Sequence, residues 1–191
     1  MKSIYGAYQN VRDSAWQVLL DYSIRSAPIN VAKIAYSSGI TILKNSEVGE
    51  LKSDEAGASI LDNDEWFIVY DDTNSKERSR FTIAHELGHI FLGHPLKAGY
   101  HARTIDISKP ETERQADMFA IRLLAPACVA WGLDLHTPEE IQQIFNISYT
   151  AAKARAERMR ILYERNKFLS SNLERQVYEN FRDYISAHKK N

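Results

Sequence analysis

The sequence predicts an α+β fold, in which helices open the chain, a small sheet follows and helices complete it. Apolar residues recur at helical spacing in residues 4–26 and again from residue 79 onward, and short β-branched and aromatic stretches lie between these regions. Strands confined to one part of the chain favour this architecture, because alternating βαβ units would interleave them with helices. The length of 191 residues fits one domain, or one domain with a small appendage.

Start and stop signals predict each helix and strand. A helix over residues 4–26 ends before Pro28, and Asn30 caps a short second helix that Gly39 terminates. We expect a small, mostly antiparallel sheet from residues 40–43, 58–61 and 66–70. From Ser79 the helical pattern runs to the end of the chain, with breaks near Pro95, Pro110, Pro126, Asn146 and Asn166.

Composition and charge give no reason to expect a nucleic acid or a membrane as partner. The 24 Lys and Arg residues nearly balance the 25 Asp and Glu residues, so the chain lacks the excess positive charge that nucleic acids and anionic membranes attract. No apolar run approaches the roughly 18 residues that span a membrane, and the first ten residues contain no secretory signal. The single cysteine, Cys128, excludes an internal disulfide and is expected to be a small buried side chain rather than a nucleophile. We therefore expect a cytoplasmic protein that binds no membrane, and the sequence indicates no oligomeric state.

Residues 80–94 contain the pattern His85-Glu86-x-x-His89, which is typical of the zinc peptidases called zincins. At about 100° per residue, the few polar side chains of this segment share one narrow arc of a helix that is otherwise apolar. Such a helix should be buried, and buried imidazoles and carboxylates are costly unless a partner, such as a metal ion, satisfies them. Histidines four apart can bind one Zn²⁺, whereas Glu86 is rotated past the metal toward a water molecule and would act as general base.

A catalytic zinc site needs a third protein ligand and an open fourth position. The candidates in the sequence are His94, His101, Glu111, Glu113 and Asp117. His94 comes one residue too early for metzincins, the zincins with a third histidine. In the next predicted helix, helical phase places Glu113 and Asp117 beside the apolar stripe and Glu111 on the polar face. We therefore predict Glu113 as the ligand and Asp117 as the acceptor for the other ring N–H of a ligating histidine. The expected metal is Zn²⁺, with Mn²⁺ as the alternative.

Three segments together resemble the ImmA/IrrE family of metallopeptidases. They are Val31-Ala-Lys-Ile-Ala-Tyr-Ser-Ser-Gly-Ile40, Arg80-Phe-Thr-Ile-Ala-His-Glu-Leu-Gly-His89 and Glu113-x-x-Ala-Asp-x-Phe-Ala-x-x-Leu-Leu-x-Pro126. The resemblance spans about residues 28–162 and implies a zincin-like peptidase core whose third ligand is a glutamate, as in gluzincins. It also implies cleavage of a partner helix-turn-helix repressor, which releases gene expression in phages, mobile elements or stress responses. Two positions depart from the family pattern: Gln115 replaces a glutamate and Ala125 replaces a methionine.

The carboxyl-terminal third is predicted to be a helical region after the peptidase core, which divides the chain into residues 1–127 and 128–191. Helix-turn-helix-like helices are expected over 138–163, and a terminal amphipathic helix over 172–188. Between Ser148 and Phe168, six basic residues outnumber two acidic ones. This excess fits either a docking face for a repressor or DNA, or a solvated helix face. DNA binding is not expected to be the primary role.

The leading functional prediction is a zinc endopeptidase of narrow specificity that acts on a protein substrate. An extended substrate segment is expected to pair with residues 66–70 as an edge strand, because this stretch leads into the motif helix. One alternative is a toxin-like metalloprotease of a toxin–antitoxin pair, which would use the same site. Another is a DNA- or protein-binding helix-turn-helix regulator with a structural metal. A closed structural zinc site takes four protein ligands, however, and would leave Glu86 without a task.

Overall fold

A computed structural model of the chain describes residues 11–95, 100–104 and 110–189, with 100–104 described by the backbone alone. In chain order, the elements are α1 (Val11–Asp21), α2 (Val31–Ser37), β1 (Ile40–Lys44), α3 (Asn45–Val48), β2 (Glu55–Asp62), β3 (Glu65–Tyr70), α4 (Lys76–Leu92), β4 (Tyr100–Thr104), α5 (Glu111–Leu124), α6 (Ala127–Gly132), α7 (Pro138–Phe145), α8 (Tyr149–Glu164), α9 (Asn172–Asn180) and α10 (Arg182–His188). The α+β fold class is confirmed. Residues 4–10 of the first predicted helix lie outside the described residues. Within the described ranges, no helix is both long and apolar enough to cross a membrane.

The chain folds into two compact units. The first contains Val31–Ala120 and the segment that ends at Ser14, and the second contains Ala15–Asn30 and Ile121–Asn191. The first unit therefore holds the sheet, α4 and most of α5. The domain division between residues 127 and 128 stays a prediction.

The sheet is mixed, with its described strands in the order β1-β3-β2-β4. β2 runs antiparallel to both β3 and β4, whereas β1 runs parallel to β3, with Ile40 opposite Trp66. The hairpin between β2 and β3 turns at Asn63 and Asp64, which have φ values of 47° and 65°. Two consecutive residues with positive φ are typical of the tight turn that joins antiparallel strands. The expectation of a small, mostly antiparallel sheet is thus correct, and β1 is its parallel exception.

Two strand predictions are wrong. Residues 66–70 were expected to form an edge strand, but β3 pairs with β1 on one side and β2 on the other. The parallel partner reaches β3 through a crossover, which local sequence patterns do not reveal. β4 also forms where a helical pattern was expected, because its backbone pairs with β2. Tyr100 and Thr104 are the two residues of β4 that favour a strand, and they do not form the alternating pattern from which a strand is predicted.

The helix α4 is the buried centre of the first unit, as its apolar sequence predicts. All ten residues from Thr82 to Phe91 are buried, and the helix packs on β2 and β3. It begins at Lys76, three residues before the predicted start, because Ser75 caps it by accepting a hydrogen bond from the Arg78 backbone N–H. Gly93, with φ of 70°, ends it in the left-handed conformation that glycine adopts without strain.

In the second unit, α7 and α8 form the predicted pair of helices joined by a short turn. Thr137 and Glu140 form the capping box of α7, Asn146 closes that helix with a φ of 49°, and Ser148 caps α8. The predicted terminal helix is divided at Phe181 into α9 and α10. Cys128 is buried, as expected, and burial raises the pKa of its thiol to about 12.

The basic face of α8 has less free charge than the sequence suggests. Arg155 is buried and donates from Nε to the Ala125 carbonyl oxygen at 2.6 Å, at the junction of α5 and α6. Arg160 pairs with both acidic residues of this segment, Glu157 and Glu164. A docking role for this face stays a prediction.

The close approach of β2 to α4 depends on Gly57. A Cβ atom at this position would lie 2.2 Å from Thr82 Cγ2 and 3.2 Å from the Val69 carbonyl oxygen. We predict that Gly57→Ala lowers the free energy of unfolding by about 1–3 kcal/mol, the usual cost of overpacking. Thr82→Ser removes the opposing methyl group, so the double variant should lose less stability than the sum of the single variants. Chemical denaturation measures this coupling, and strictly additive losses would contradict the close contact.

Candidate metal centre

The motif helix α4 packs closely against α5 because the residue of α4 at their contact is a glycine, Gly88. A Cβ at Gly88 would lie 3.2 Å from both Ala116 Cα and Phe119 Cβ on α5. The two helices therefore meet with little space between their backbones. This contact brings the first turns of α5, which carry Glu113, beside the histidines of α4.

Three side chains that can bind a metal converge between these helices. The Nε2 atoms of His85 and His89 are 3.0 Å apart. The Glu113 carboxylate reaches both rings, with Oε2 3.2 Å from His85 Nε2 and Oε1 3.2 Å from His89 Nε2. Both histidines are buried, and the Glu113 side chain is 12% exposed. Within the part of the chain that the structure describes, these three residues form the group that could hold a metal ion.

The chemistry of this donor set fits zinc. His85 Nδ1 lies 2.9 Å from Asp117 Oδ1. Because a carboxylate accepts, His85 carries its proton on Nδ1 and turns the lone pair of Nε2 toward the other donors. Two nitrogens bound to one tetrahedral zinc would be about 3.3 Å apart, close to the spacing observed here. Two imidazoles and one carboxylate also match the three-ligand sets of catalytic zinc sites rather than the four-ligand sets of structural ones.

The histidines keep Glu113 ionised. Burial raises the pKa of the Glu113 carboxyl, but His85 and His89, in the states in which their Nε2 atoms carry a proton, lower it by more through hydrogen bonds and positive charge, so the pKa lies well below its ordinary value. The negative charge of this carboxylate is what a divalent cation requires of its ligand set.

Glu86 is buried beside the three donors. Ser59 Oγ, on β2, donates a hydrogen bond to Glu86 Oε2 at 2.5 Å. The other oxygen, Oε1, is buried and has no hydrogen-bond partner among the described residues. Burial is the main cause of a raised Glu86 pKa, which the charges of His85 and His89 and the Ser59 hydrogen bond partly offset. A carboxylate with one unpartnered oxygen and a raised pKa is a stronger base than an exposed carboxylate.

The structure thus brings together His85, His89, Glu113 and Asp117, the ligand and supporting residues that the sequence singles out. Other candidates lie elsewhere. Glu111 is exposed and pairs with Arg114. His94 is outside the donor set, but its Nδ1 lies 3.0 Å from His89 Nδ1. His101 lies in β4, whose side chains are outside the described part of the structure.

Sequence patterns do not predict the hydrogen bond from Ser59 to Glu86 or the contact between His94 and Gln115, whose Nε2 and Oε1 atoms are 3.0 Å apart. The sequence feature that could have drawn attention to Ser59 is its hydroxyl group, which interrupts the apolar stretch of β2. Its pairing with Glu86 follows from how β2 packs on α4, which local patterns do not specify.

Comparison with known proteins identifies the family. Residues 37–157 match the Peptidase M78 family, described as the IrrE N-terminal-like domain. No curated protein matches the chain. The family match covers more than half of the sequence, includes all of α4 and α5, and confirms the resemblance carried by the motifs. The chain therefore belongs to the Peptidase M78 family of IrrE N-terminal-like domains.

Proposed function

We propose that this protein is a zinc-dependent endopeptidase of narrow specificity that cleaves a partner helix-turn-helix repressor and so derepresses genes. Membership of a peptidase family supports peptide hydrolysis. The observation that carries the proposal is the buried Glu86, whose Oε1 has no described partner, beside the converging donors of His85, His89 and Glu113. The identity of the substrate rests on the family resemblance.

The residues of the site have separate tasks in this mechanism. His85, His89 and Glu113 would hold Zn²⁺, or alternatively Mn²⁺, which would polarise the scissile carbonyl and acidify the attacking water. Glu86 Oε1 takes a proton from that water and passes it to the leaving amine. Ser59 holds Glu86 Oε2, which leaves Oε1 as the basic oxygen. Asp117 accepts from His85 Nδ1–H and so orients this ligand.

An extended substrate segment would add a strand to β4. Among the described strands, β1 and β4 have an unpaired edge. β4 is the nearer edge, because it neighbours β2, which contacts Glu86 through Ser59, whereas β1 lies beyond β3. A structure of an inactive variant with the repressor would test this, and a substrate bound as a helix away from β4 would contradict it.

A regulator with a purely structural metal fits the site less well. A closed structural zinc site takes four protein ligands, whereas three converge here among the described residues. A toxin-like metalloprotease would use the same residues, so the cleaved partner distinguishes it from the proposed function.

Removal of the acidic ligand tests the metal site. Glu113→Gln removes a charged ligand. Loss of a hydrogen-bond partner of a ligand weakens metal binding by about 10–100-fold, and loss of the ligand itself should weaken zinc binding by more than that. The control is Glu47→Gln, the same change at an exposed carboxylate of α3 that pairs with Lys44, which should retain wild-type affinity. Competition with a chelator measures both. Wild-type affinity in Glu113→Gln, or an equal loss in Glu47→Gln, would show that the ligand assignment is wrong.

Removal of the base tests the mechanism. Glu86→Gln preserves all three proposed ligands, so the variant should bind zinc like wild type while cleavage falls by about 10²–10⁴-fold. The test uses any helix-turn-helix repressor that is found encoded beside this gene, and mass spectrometry locates the cleaved bond. Normal cleavage by zinc-loaded Glu86→Gln would exclude Glu86 as the base. Absence of cleavage by zinc-loaded wild type would exclude this repressor as the substrate.

A further inference from the structure

His94 is held over the metal ligand His89 by the way α4 ends. Gly93 adopts the left-handed conformation, its backbone N–H donates to the Ile90 carbonyl, and the His94 N–H donates to the His89 carbonyl. These two hydrogen bonds form a Schellman motif, which reverses the chain after the last helical turn. The His94 ring therefore lies against the His89 ring, with their centroids 4.9 Å apart and their planes at 77°.

A chain of hydrogen bonds connects His89 with the polar side of α5. His94 Nδ1 is 3.0 Å from His89 Nδ1, and His94 Nε2 is 3.0 Å from Gln115 Oε1. Gln115 Nε2 in turn donates to Glu111 Oε1 at 3.3 Å. His94 and Gln115 therefore each contact one neighbour on either side.

The carboxylate at the end of this chain determines the direction of every bond in it. An ionised carboxylate only accepts, so the Gln115 amide turns its NH₂ group toward Glu111 and its oxygen toward His94. His94 must then carry its proton on Nε2 and accept through Nδ1. The proton between the two rings consequently belongs to His89 Nδ1, and the Nε2 lone pair of His89 faces His85 and Glu113.

We infer that His94, oriented by Gln115, is a positioning residue that holds His89 in the tautomer and ring orientation that bind metal. The inference rests on the metal site of the proposed function. It gives the two histidine ligands different supports, because His85 donates to the Asp117 carboxylate whereas His89 donates to a neutral imidazole. In this interpretation Gln115, which replaces the glutamate of the family pattern, orients the His94 ring.

Zinc affinity of the full-length chain, measured by competition with a chromophoric chelator, tests the inference without any substrate. His94→Phe retains a flat ring but removes the acceptor, and should weaken zinc binding by about 10–100-fold. Gln115→Ala should weaken it less but measurably. Gln115→Glu retains an oxygen acceptor for His94 and should bind like wild type, as should the control His188→Phe, which changes an exposed histidine at the end of α10.

Nitrogen-15 NMR of the imidazoles separates positioning from a merely structural role. In zinc-loaded wild type, His94 should carry its proton on Nε2, and Gln115→Ala should shift His94 toward a mixture of tautomers. A proton on His94 Nδ1, or wild-type zinc affinity in both His94→Phe and Gln115→Ala, would overturn the inference. If His94→Phe does not fold, the test rests on the position of Gln115. Weaker zinc binding by Gln115→Ala, with wild-type zinc affinity in Gln115→Glu, would then support the inference. Wild-type protein that binds no zinc would instead overturn the proposed metal site itself.

Discussion

The first unit depends on the convergence of two imidazoles and a carboxylate between α4 and α5. Burying polar groups without partners costs several kcal/mol each, at roughly 2–7 kcal/mol for neutral groups. Here the outer nitrogens of His85 and His89 are engaged by Asp117 and His94, so their inner nitrogens face each other and Glu113. A divalent cation could bind the lone pairs of all three inward-facing groups together. The contacts of Asp117 and His94 would thus orient the histidines for a metal ion without touching it.

Close packing around α4 makes this arrangement possible. Glycines stand where α4 approaches its neighbours: Gly88 faces α5 and Gly57 lets β2 approach Thr82. Larger residues would push the elements apart, because protein interiors have little spare volume. The approach of β2 also brings Ser59 to Glu86, so the same packing that stabilises the fold gives Oε2 of Glu86 a hydrogen-bond partner and leaves Oε1 without one among the described residues.

Helical phase predicts most of the site. It identifies α4 as a buried helix and selects Glu113 and Asp117 over Glu111, because all of these choices depend on positions within single helices. Helical phase cannot be extended beyond the last residue of a helix. It therefore does not predict that the Schellman motif turns the chain so that His94 contacts His89. The two wrong strand predictions have the same cause, which is contact between residues that local patterns do not connect. The pairing of β3 on both sides and the formation of β4 depend on strands that are distant in sequence.

The most direct test of the central claim is X-ray absorption at the zinc edge of the zinc-loaded full-length chain. We predict one zinc bound by light atoms, with zinc–nitrogen distances of about 2.0–2.1 Å and multiple scattering that corresponds to two imidazoles. His94 and Cys128 are outside the donor set, so neither a third imidazole nor a sulfur should be present. A spectrum with three imidazoles, with sulfur in the first shell, or with no bound zinc would contradict the site of His85, His89 and Glu113.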